Sequence, residues 1–373
     1  MRILFVLPRI VSGGVERVTL NLIRQFAADG VECTLALRRA HGELLYEAHS
    51  LVRVVELAPN GLHQFVPGLS KLIRAWHPSH IITAFPDVAF MTWMAMRMSR
   101  SDAFWVHGVH NSHASIVARK GVVGKLRHLG ENRIAGFVYR NSDATVAVSD
   151  GVRDEVLEWS GVDPARVVTI HNPIVTEGQL RIVAEPRHAV DEPFSIVAIG
   201  RLVRQKGFDI LIRAMAKVPQ PWRLDIWGEG PERDQLTSLI ASHGLESMLQ
   251  LRGYTDEPFE ILRRADLFVL SSRHEGLPTV LVEALACQCQ IVATECMHGP
   301  KEILLDGNLG RLVHVEDIES LADAIESVCC GRARTDPRSL LMRAGDFTTK
   351  VAYEKWCALL QGQLTVADAF RSG

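Results

Sequence analysis

Little in this 373-residue chain is extreme, and its shortages are the first guide to what it can be. Cysteine is scarce and odd in number: seven residues, at positions 33, 287, 289, 296, 329, 330 and 357, with no Cys-x-x-Cys pair. Such a set argues against a disulfide framework or a cysteine metal cluster, and fits small buried side chains in a reducing cytosol. Long apolar runs are also missing. The most apolar window, IITAFPDVAFMTWMAM (81–96), contains Pro86 and Asp87 and falls short of a bilayer span. The opening MRILFVLPRI has one early Arg and a short apolar stretch before Pro8, so it reads as a first strand rather than a signal peptide. A formal net charge of -2 lacks the global basic signature of a nucleic-acid binder.

What is present is ordinary globular material, 47% hydrophobic and 23% charged, in a length that suggests two domains. Charge is uneven. Residues 1–175 hold 19 Lys and Arg against 15 Asp and Glu, and the remainder holds 22 against 28. A mildly basic first half suits an anionic membrane surface or an anionic acceptor.

Short β-rich runs alternate with longer amphipathic stretches. RILFVL, CTLALR, VRVVEL, HIITA, AFWVHGV, ATVAV and VVTIH are strand candidates in the first half. SIVAIG, WRLDIWG, MLQLRG, ADLFVL, QIVAT and RLVHV follow in the second, with helical stretches between many of them. Strands alternating with helices argue for βαβ units and parallel sheets. The expected architecture is α/β: two doubly wound, Rossmann-like domains, 1–175 and 194–345. A polar, Pro-containing linker is expected over 176–193, and a C-terminal helix within 346–373 is expected to return toward the first domain. In such sheets ligands sit beyond the carboxyl ends of the strands, and with two sheets the cleft between them is the expected site.

The chemistry-bearing stretches fall where strands give way to helices. In SGGVER (12–17), Gly13 and Gly14 permit close backbone approach to a ligand, with helix N–H groups behind them; a tight turn is the plainer reading. In GRLVRQKG (200–207), Arg201 and Lys206 flank one strand-to-helix turn and suit a diphosphate, Arg as a fork and Lys as a point charge. WGEGPERDQL reads as a structural turn with Pro231 as first helical residue, and in RGYTDEP the ring of Tyr254 could face a base. The strongest stretch is RHEGLPTVLVEALACQC (273–289). Pro278 suits a first helical turn, leaving the amides of Leu277, Thr279 and Val280 for an anion. Glu283 then stands inside a Leu-, Val- and Ala-rich helix, where a carboxylate costs several kcal/mol unless it is paired. Sugar or ribose hydroxyls could compensate it, as could a neighbouring cation.

Taken together, SGGVER, GRLVRQKG, GEGPERDQL, GYTDEP, SSRHEGLPTVLVEALA and HGPKEILLDGNLGRLV resemble, in order and spacing, the retaining glycosyltransferases of family 4. The resemblance runs over essentially the whole chain and is densest from 195 to 315, around the Glu-x7-Glu motif. It implies the GT-B fold, with a nucleotide-sugar donor held mainly by the C-terminal domain. Residue by residue, it implies that Arg201 and Lys206 bind the donor diphosphate, that Glu283 contacts the ribose, and that Glu275 with Gly276–Thr279 holds donor sugar and phosphate. Gly13 and Gly14 would face the diphosphate, and a histidine of WVHGVHNSH would sit beside the donor sugar, His110 first, with His107 and His113 as competitors. The chain departs from the family pattern at Gln288, Gln290, Met297 and His298, positions that bear on donor-sugar preference rather than on class.

With no Asp-x-Asp, a metal is not expected, and Arg201, Lys206 and helix N-termini would steady the leaving diphosphate. Front-face displacement, the departing phosphate taking the acceptor's proton, is the expected route to retention. The expected donor is a UDP-hexose or UDP-N-acetylhexosamine ahead of GDP-mannose. The expected acceptor is a lipid-linked, lipopolysaccharide or capsule saccharide at the inner face of the cytoplasmic membrane. The stretch 116–140, with Arg119, Lys120, Lys125, Arg127, Arg133 and Arg140 against Glu131, is a candidate contact for an anionic leaflet, and 66–76 a weaker one. A nucleotide-sugar epimerase or a non-catalytic nucleotide-sugar binder would share the same motifs.

Overall fold

Runs of β-branched and other apolar residues, too short for helices and bounded by turns, become strands at every one of the thirteen expected places in the computed structural model. The structure describes residues 1–11, 13–110, 122–183, 193–219 and 221–362, the side chains of 122–130 and 182–183 excepted. The chain divides into two compact units, Ile174–Thr348 forming the second and Met1–Pro173 with the helix Thr349–Leu360 the first.

The first unit is built on a seven-stranded sheet in the order β3-β2-β1-β4-β5-β6-β7. Its strands are β1 (Arg2–Leu7), β2 (Glu32–Leu37), β3 (Arg53–Glu56), β4 (His80–Thr83), β5 (Phe104–Val109), β6 (Ala144–Ala147) and β7 (Val167–Thr169). All neighbours pair in parallel. Most strand residues are buried, as expected when helices cover both faces. The helix Thr349–Leu360 joins this core because its own apolar face needs one: Trp356 is buried, Tyr353 meets Phe26 edge-on at 5.0 Å, and the Leu360 carbonyl lies 2.9 Å from His80 Nε2.

The second unit holds β8 (Phe194–Ile199), β9 (Trp222–Trp227), β10 (Leu249–Gly253), β11 (Leu267–Leu270), β12 (Gln290–Thr294) and β13 (Arg311–Val313), in the order β10-β9-β8-β11-β12-β13. Renumbered within the unit this is the 3-2-1-4-5-6 order of a doubly wound sheet. The order reverses between β8 and β11 here and between β1 and β4 in the first unit. Those are the points where such sheets open a crevice for ligands at their carboxyl ends.

Two local expectations are corrected. The segment read as polar linker begins with a helix, Glu177–Val183. Thr176 and Gln179 form a reciprocal cap there: the Thr176 N–H donates to Gln179 Oε1 (2.8 Å) and the Gln179 N–H to Thr176 Oγ1 (3.1 Å). Residues 184–192 of that segment lie outside the described residues. Pro231 is not helical; it lies in a turn, and the helix runs Arg233–Ser242. The apolar window 81–96 divides into β4 and the helix Pro86–Ser99, Pro86 taking the first helical position, where a missing N–H costs nothing. Among the described residues no helix is long and apolar enough to cross a membrane.

Candidate functional site

In the second unit the turns after β8 and β11 bring together residues far apart in sequence. Lys206 Nζ donates to Glu275 Oε1 at 2.7 Å, and Ser272 Oγ donates to the same oxygen at 2.6 Å. Glu275 is buried, so these two bonds are what let it remain there. Among the described residues, Glu275 Oε2 takes no hydrogen bond, which leaves that oxygen for a hydroxyl donor. Gly200 makes the pairing possible, because a Cβ there would stand 3.2 Å from the Lys206 stem. Gly207 closes the turn at φ +64, where a Cβ would strike the Ser271 carbonyl at 2.0 Å.

Lys206, expected at the donor diphosphate, is paired here with Glu275. Arg201 is exposed, and among the described residues its guanidinium has no ion pair or hydrogen bond. Arg273 anchors the β11 turn, holding Asp209 through two bonds of 2.8 Å and also bonding Glu316 and the Arg204 carbonyl. Gln205 Nε2 donates to the His274 carbonyl at 2.9 Å. Beside Glu275, burial holds the His274 imidazole below its ordinary value, against the pull of the Glu275 charge.

The helix after β11 runs Thr279–Ala286, one residue later than expected. Pro278 is its N-cap, in extended conformation, so the amides of Thr279 and Val280 are first-turn groups without intrahelical partners. Leu277, Pro278 and Val280 are buried, Gly276 with them, while Thr279 and Glu283 are half-buried. Gly299, at φ +85, presses on this turn: a Cβ there would lie 2.5 Å from Pro278 Cδ. Tyr254, just past β10, is 57% exposed and available to stack. The Gly228–Gly230 turn is structural, since added Cβ atoms would meet the carbonyls of Gly200 at 1.9 Å and Leu202 at 2.4 Å.

Two departures from the family pattern have local reasons. Gln288 stands at φ +55 just past the helix, and Gln290 mimics backbone, bonding the Thr335 N–H at 2.7 Å and its carbonyl at 3.0 Å. His298 is also left-handed, at φ +64, and Met297 is exposed.

In the first unit Gly13 is the N-cap of the helix Gly14–Ala28. A Cβ on Gly13 would lie 2.3 Å from Glu16 Oε2, so a carboxylate already folds back over this helix end. Gly14, by contrast, faces open space.

The histidines separate clearly. His107 is buried within β5, its Nδ1 3.0 Å from Thr83 Oγ1, and burial together with the charge of His110 brings it down to about 3. It is a core residue. His110, just past β5, is half-buried and lines a small cavity with Phe5, Leu7, Ile82, Val148, Ile170 and Asn172. Burial lowers its imidazole to about 4, and its Nδ1 is buried with no hydrogen-bond partner among the described residues. His113 lies outside the described residues. Ser272, Gln205 and Asn172 carried no signal in sequence beyond standing at strand ends.

The comparisons with known proteins agree with this fold. Residues 12–177 match the family described as Glycosyltransferase Family 4, and residues 183–336 that described as Glycosyl transferases group 1. The chain is 27% identical over 357 residues to the lipopolysaccharide core biosynthesis glycosyltransferase LpsE of Rhizobium meliloti, covering 94% of this chain and 96% of that one. It is 29% identical over 195 residues to the N-acetylgalactosamine-N,N'-diacetylbacillosaminyl-diphospho-undecaprenol 4-alpha-N-acetylgalactosaminyltransferase of Campylobacter jejuni, over 52% of this chain and 53% of that one. Among solved structures, HepE of Anabaena in complex with UDP and glucose superposes with a TM-score of 0.80 at 20% identity, covering 97% of this chain and 100% of that one. Two parallel Rossmann-like sheets with these strand-end clusters define a glycosyltransferase of the GT-B fold. The chain carries a glycosyltransferase Family 4 domain followed by a glycosyl transferases group 1 domain.

Proposed function

We propose that the protein transfers a hexose or N-acetylhexosamine from a UDP-sugar, with retention, to a lipid-linked, lipopolysaccharide or capsule saccharide. The observation that carries the donor half is Glu275, a buried carboxylate held by Lys206 and Ser272 through one oxygen at the switch point of the second sheet. Its other oxygen would receive a sugar hydroxyl, while Arg201 and the amides of Thr279 and Val280 would take the diphosphate, with Lys206 nearby as counter-charge. Glu283 would accept from the ribose and Tyr254 would stack on the base. The acceptor half rests on the relatives' names, a lipopolysaccharide core enzyme and an enzyme acting on an undecaprenol-linked saccharide. The UDP preference draws on HepE, solved with UDP.

In the proposed reaction the bond from the anomeric carbon to the diphosphate oxygen breaks as a bond to the acceptor oxygen forms on the same face. The acceptor's proton passes to the departing phosphate. His110 would steady charge at the reacting sugar. No metal is invoked, since the cations and helix amides named above would meet the leaving charge. Contact with an anionic leaflet is part of the proposal. Arg133 and Arg140 of the helix Val122–Asn141 are exposed, whereas 116–121 lie outside the described residues.

The test is a panel of UDP- and GDP-sugars incubated, with and without EDTA, with lipid-linked saccharides from a bacterial extract. Acceptor-dependent, EDTA-resistant transfer from a UDP-sugar is expected. His110→Ala should lower kcat by ~10²-fold with UDP affinity kept, as for a contact stronger in the transition state. Donor turnover without acceptor would mark an epimerase, and binding without turnover a binding protein. Preferential, salt-sensitive binding to anionic over neutral liposomes checks the membrane contact.

A further inference from the structure

The turn after β1 carries Arg9, and the turn after β2 carries Arg38, Arg39 and His41. Because β1 and β2 are neighbours, both turns stand at the carboxyl end of the sheet, beside the β1–β4 switch point. Their backbones are knit together. The Arg39 N–H donates to the Pro8 carbonyl (3.1 Å), the Ile10 N–H to the His41 carbonyl (3.1 Å) and the Leu44 N–H to the Ile10 carbonyl (3.3 Å). Gly42, at φ +134, lets the turns close, because a Cβ there would lie 2.0 Å from the Ile10 carbonyl oxygen. Turns joined in this way present their side chains from fixed positions, which lowers the ordering cost of binding.

The charge at this edge is only partly matched. Arg38 reaches Asp87 at 3.7 Å, a loose pair with an exposed carboxylate, and Glu56 Oε1 accepts from the Ala40 N–H at 3.2 Å. Glu43 is exposed in the same turn. Arg9 and Arg39 are exposed too, and among the described residues neither guanidinium has an ion pair or hydrogen bond. By contrast, Arg17 and Arg24 on the helix Gly14–Ala28 share Glu47. Two forked donors on a fixed edge suit an oxyanion, whether phosphate or carboxylate.

We propose that Arg9 and Arg39 form an anion subsite for an acidic group, phosphate or carboxylate, on the acceptor saccharide. An acidic acceptor is then preferred to a neutral one of the same shape. This deepens the acceptor half of the function proposed above and rests on it for the acceptor role, though not for the anion.

The experiment is a ligand-observed NMR titration of the full chain with glucose 6-phosphate, glucuronate, glucose and inorganic phosphate. Excess UDP is present to keep the donor site from reporting. Both acidic sugars should bind at least about tenfold more tightly than glucose. Arg9→Gln and Arg39→Gln should each weaken the acidic sugars about tenfold and leave glucose and UDP binding unchanged. Arg53→Gln removes the same charge at the amino end of β3 and should change nothing. Equal binding of glucose and the acidic sugars in the parent, or an equal loss in Arg53→Gln, would overturn the proposal. So would inorganic phosphate binding as tightly as glucose 6-phosphate, which marks a site for the free ion. A loss confined to Arg201→Gln would move the anion to the second unit, with the same consequence. If Arg9→Gln and Arg39→Gln weaken binding to phosphatidylglycerol vesicles and not to the acidic sugars, the edge meets a membrane and the proposal falls. None of these readouts needs transfer. The expected losses in a chain that transfers nothing would uphold the anion subsite and remove only the reaction.

Discussion

The two units solve opposite problems on the same scaffold. At the carboxyl end of β5 the first unit keeps a titratable ring uncharged, by walling His110 with mostly apolar side chains. At the carboxyl ends of β8 and β11 the second unit buries Glu275 and places an ammonium and a hydroxyl on one of its oxygens. Desolvation is accepted in the first case and opposed in the second. A site held by burial should respond to pH. A site held by pairing should respond to loss of the partner.

The sharpest way to break that contrast is Lys206→Ala. It strands a buried carboxylate on Ser272 alone, and losing one partner of a buried pair costs roughly 3–5 kcal/mol. The second unit's denaturant transition should move by that order, and UDP affinity by calorimetry should fall at least about tenfold. Replacing both members, with Lys206→Met and Glu275→Leu, should recover most of the stability while transfer stays lost. If Lys206→Ala costs under about 1 kcal/mol, water screens the pair and Glu275 is not held by charge.

That pair shows where sequence reasoning stops. Every strand was legible, because runs such as SIVAIG and ADLFVL carry their apolar pattern locally. So were the helices on either side of the Glu-x7-Glu motif. Which strands become neighbours is not local. Lys206 and Glu275 lie 69 positions apart and meet only because β8 and β11 pair at the switch point. From sequence the pairing of Lys206 with Glu275 was thus out of sight, and Glu283, not Glu275, was the carboxylate in need of a partner. Likewise the three histidines of WVHGVHNSH look alike in print. Strand alternation puts His107 inside the sheet, and the end of β5 brings His110 clear of it.

A second test concerns pH in the first unit. His107 ordinarily titrates near 6.5 but is brought to about 3 in the fold, by burial first and the charge of His110 second. Between those values the unfolded chain binds a proton that the folded chain refuses. This contribution to stability is therefore fully present above the unfolded value and shrinks as pH falls toward the folded one. His110, brought to about 4, adds to the same window. Thermal unfolding of the first unit should drop by a few kcal/mol between about pH 7 and pH 4.5. His107→Gln, which keeps a polar partner for Thr83 without titrating, should flatten the curve. An equal pH slope in the parent and in His107→Gln would remove this histidine from the acid response.

The smallest expected effect lies beside the paired site and separates folding from function there. Gln288 occupies the position just past the helix Thr279–Ala286, with Cys287 as the C-cap. Its N–H bonds the Leu285 carbonyl at 2.9 Å, and the Cys289 N–H bonds the Ala284 carbonyl at 3.0 Å. This is the double closure of a Schellman motif, whose left-handed residue is usually glycine. At φ +55 a side chain costs roughly 1–2 kcal/mol, against which glycine loses about 0.5–1 kcal/mol more entropy on folding. Gln288→Gly should therefore stabilise the second unit by about 0.5 kcal/mol, read as a higher denaturant midpoint at unchanged slope. UDP affinity and kcat should stay as in the parent, because the change ends the helix and leaves alone the first turn, where the proposal puts the diphosphate. A loss of stability would mean that the Gln288 side chain contributes more than the strain it brings. A change in donor affinity would tie this end of the helix to the Glu275 cluster and draw the paired site larger than the contacts of Lys206 and Ser272 make it.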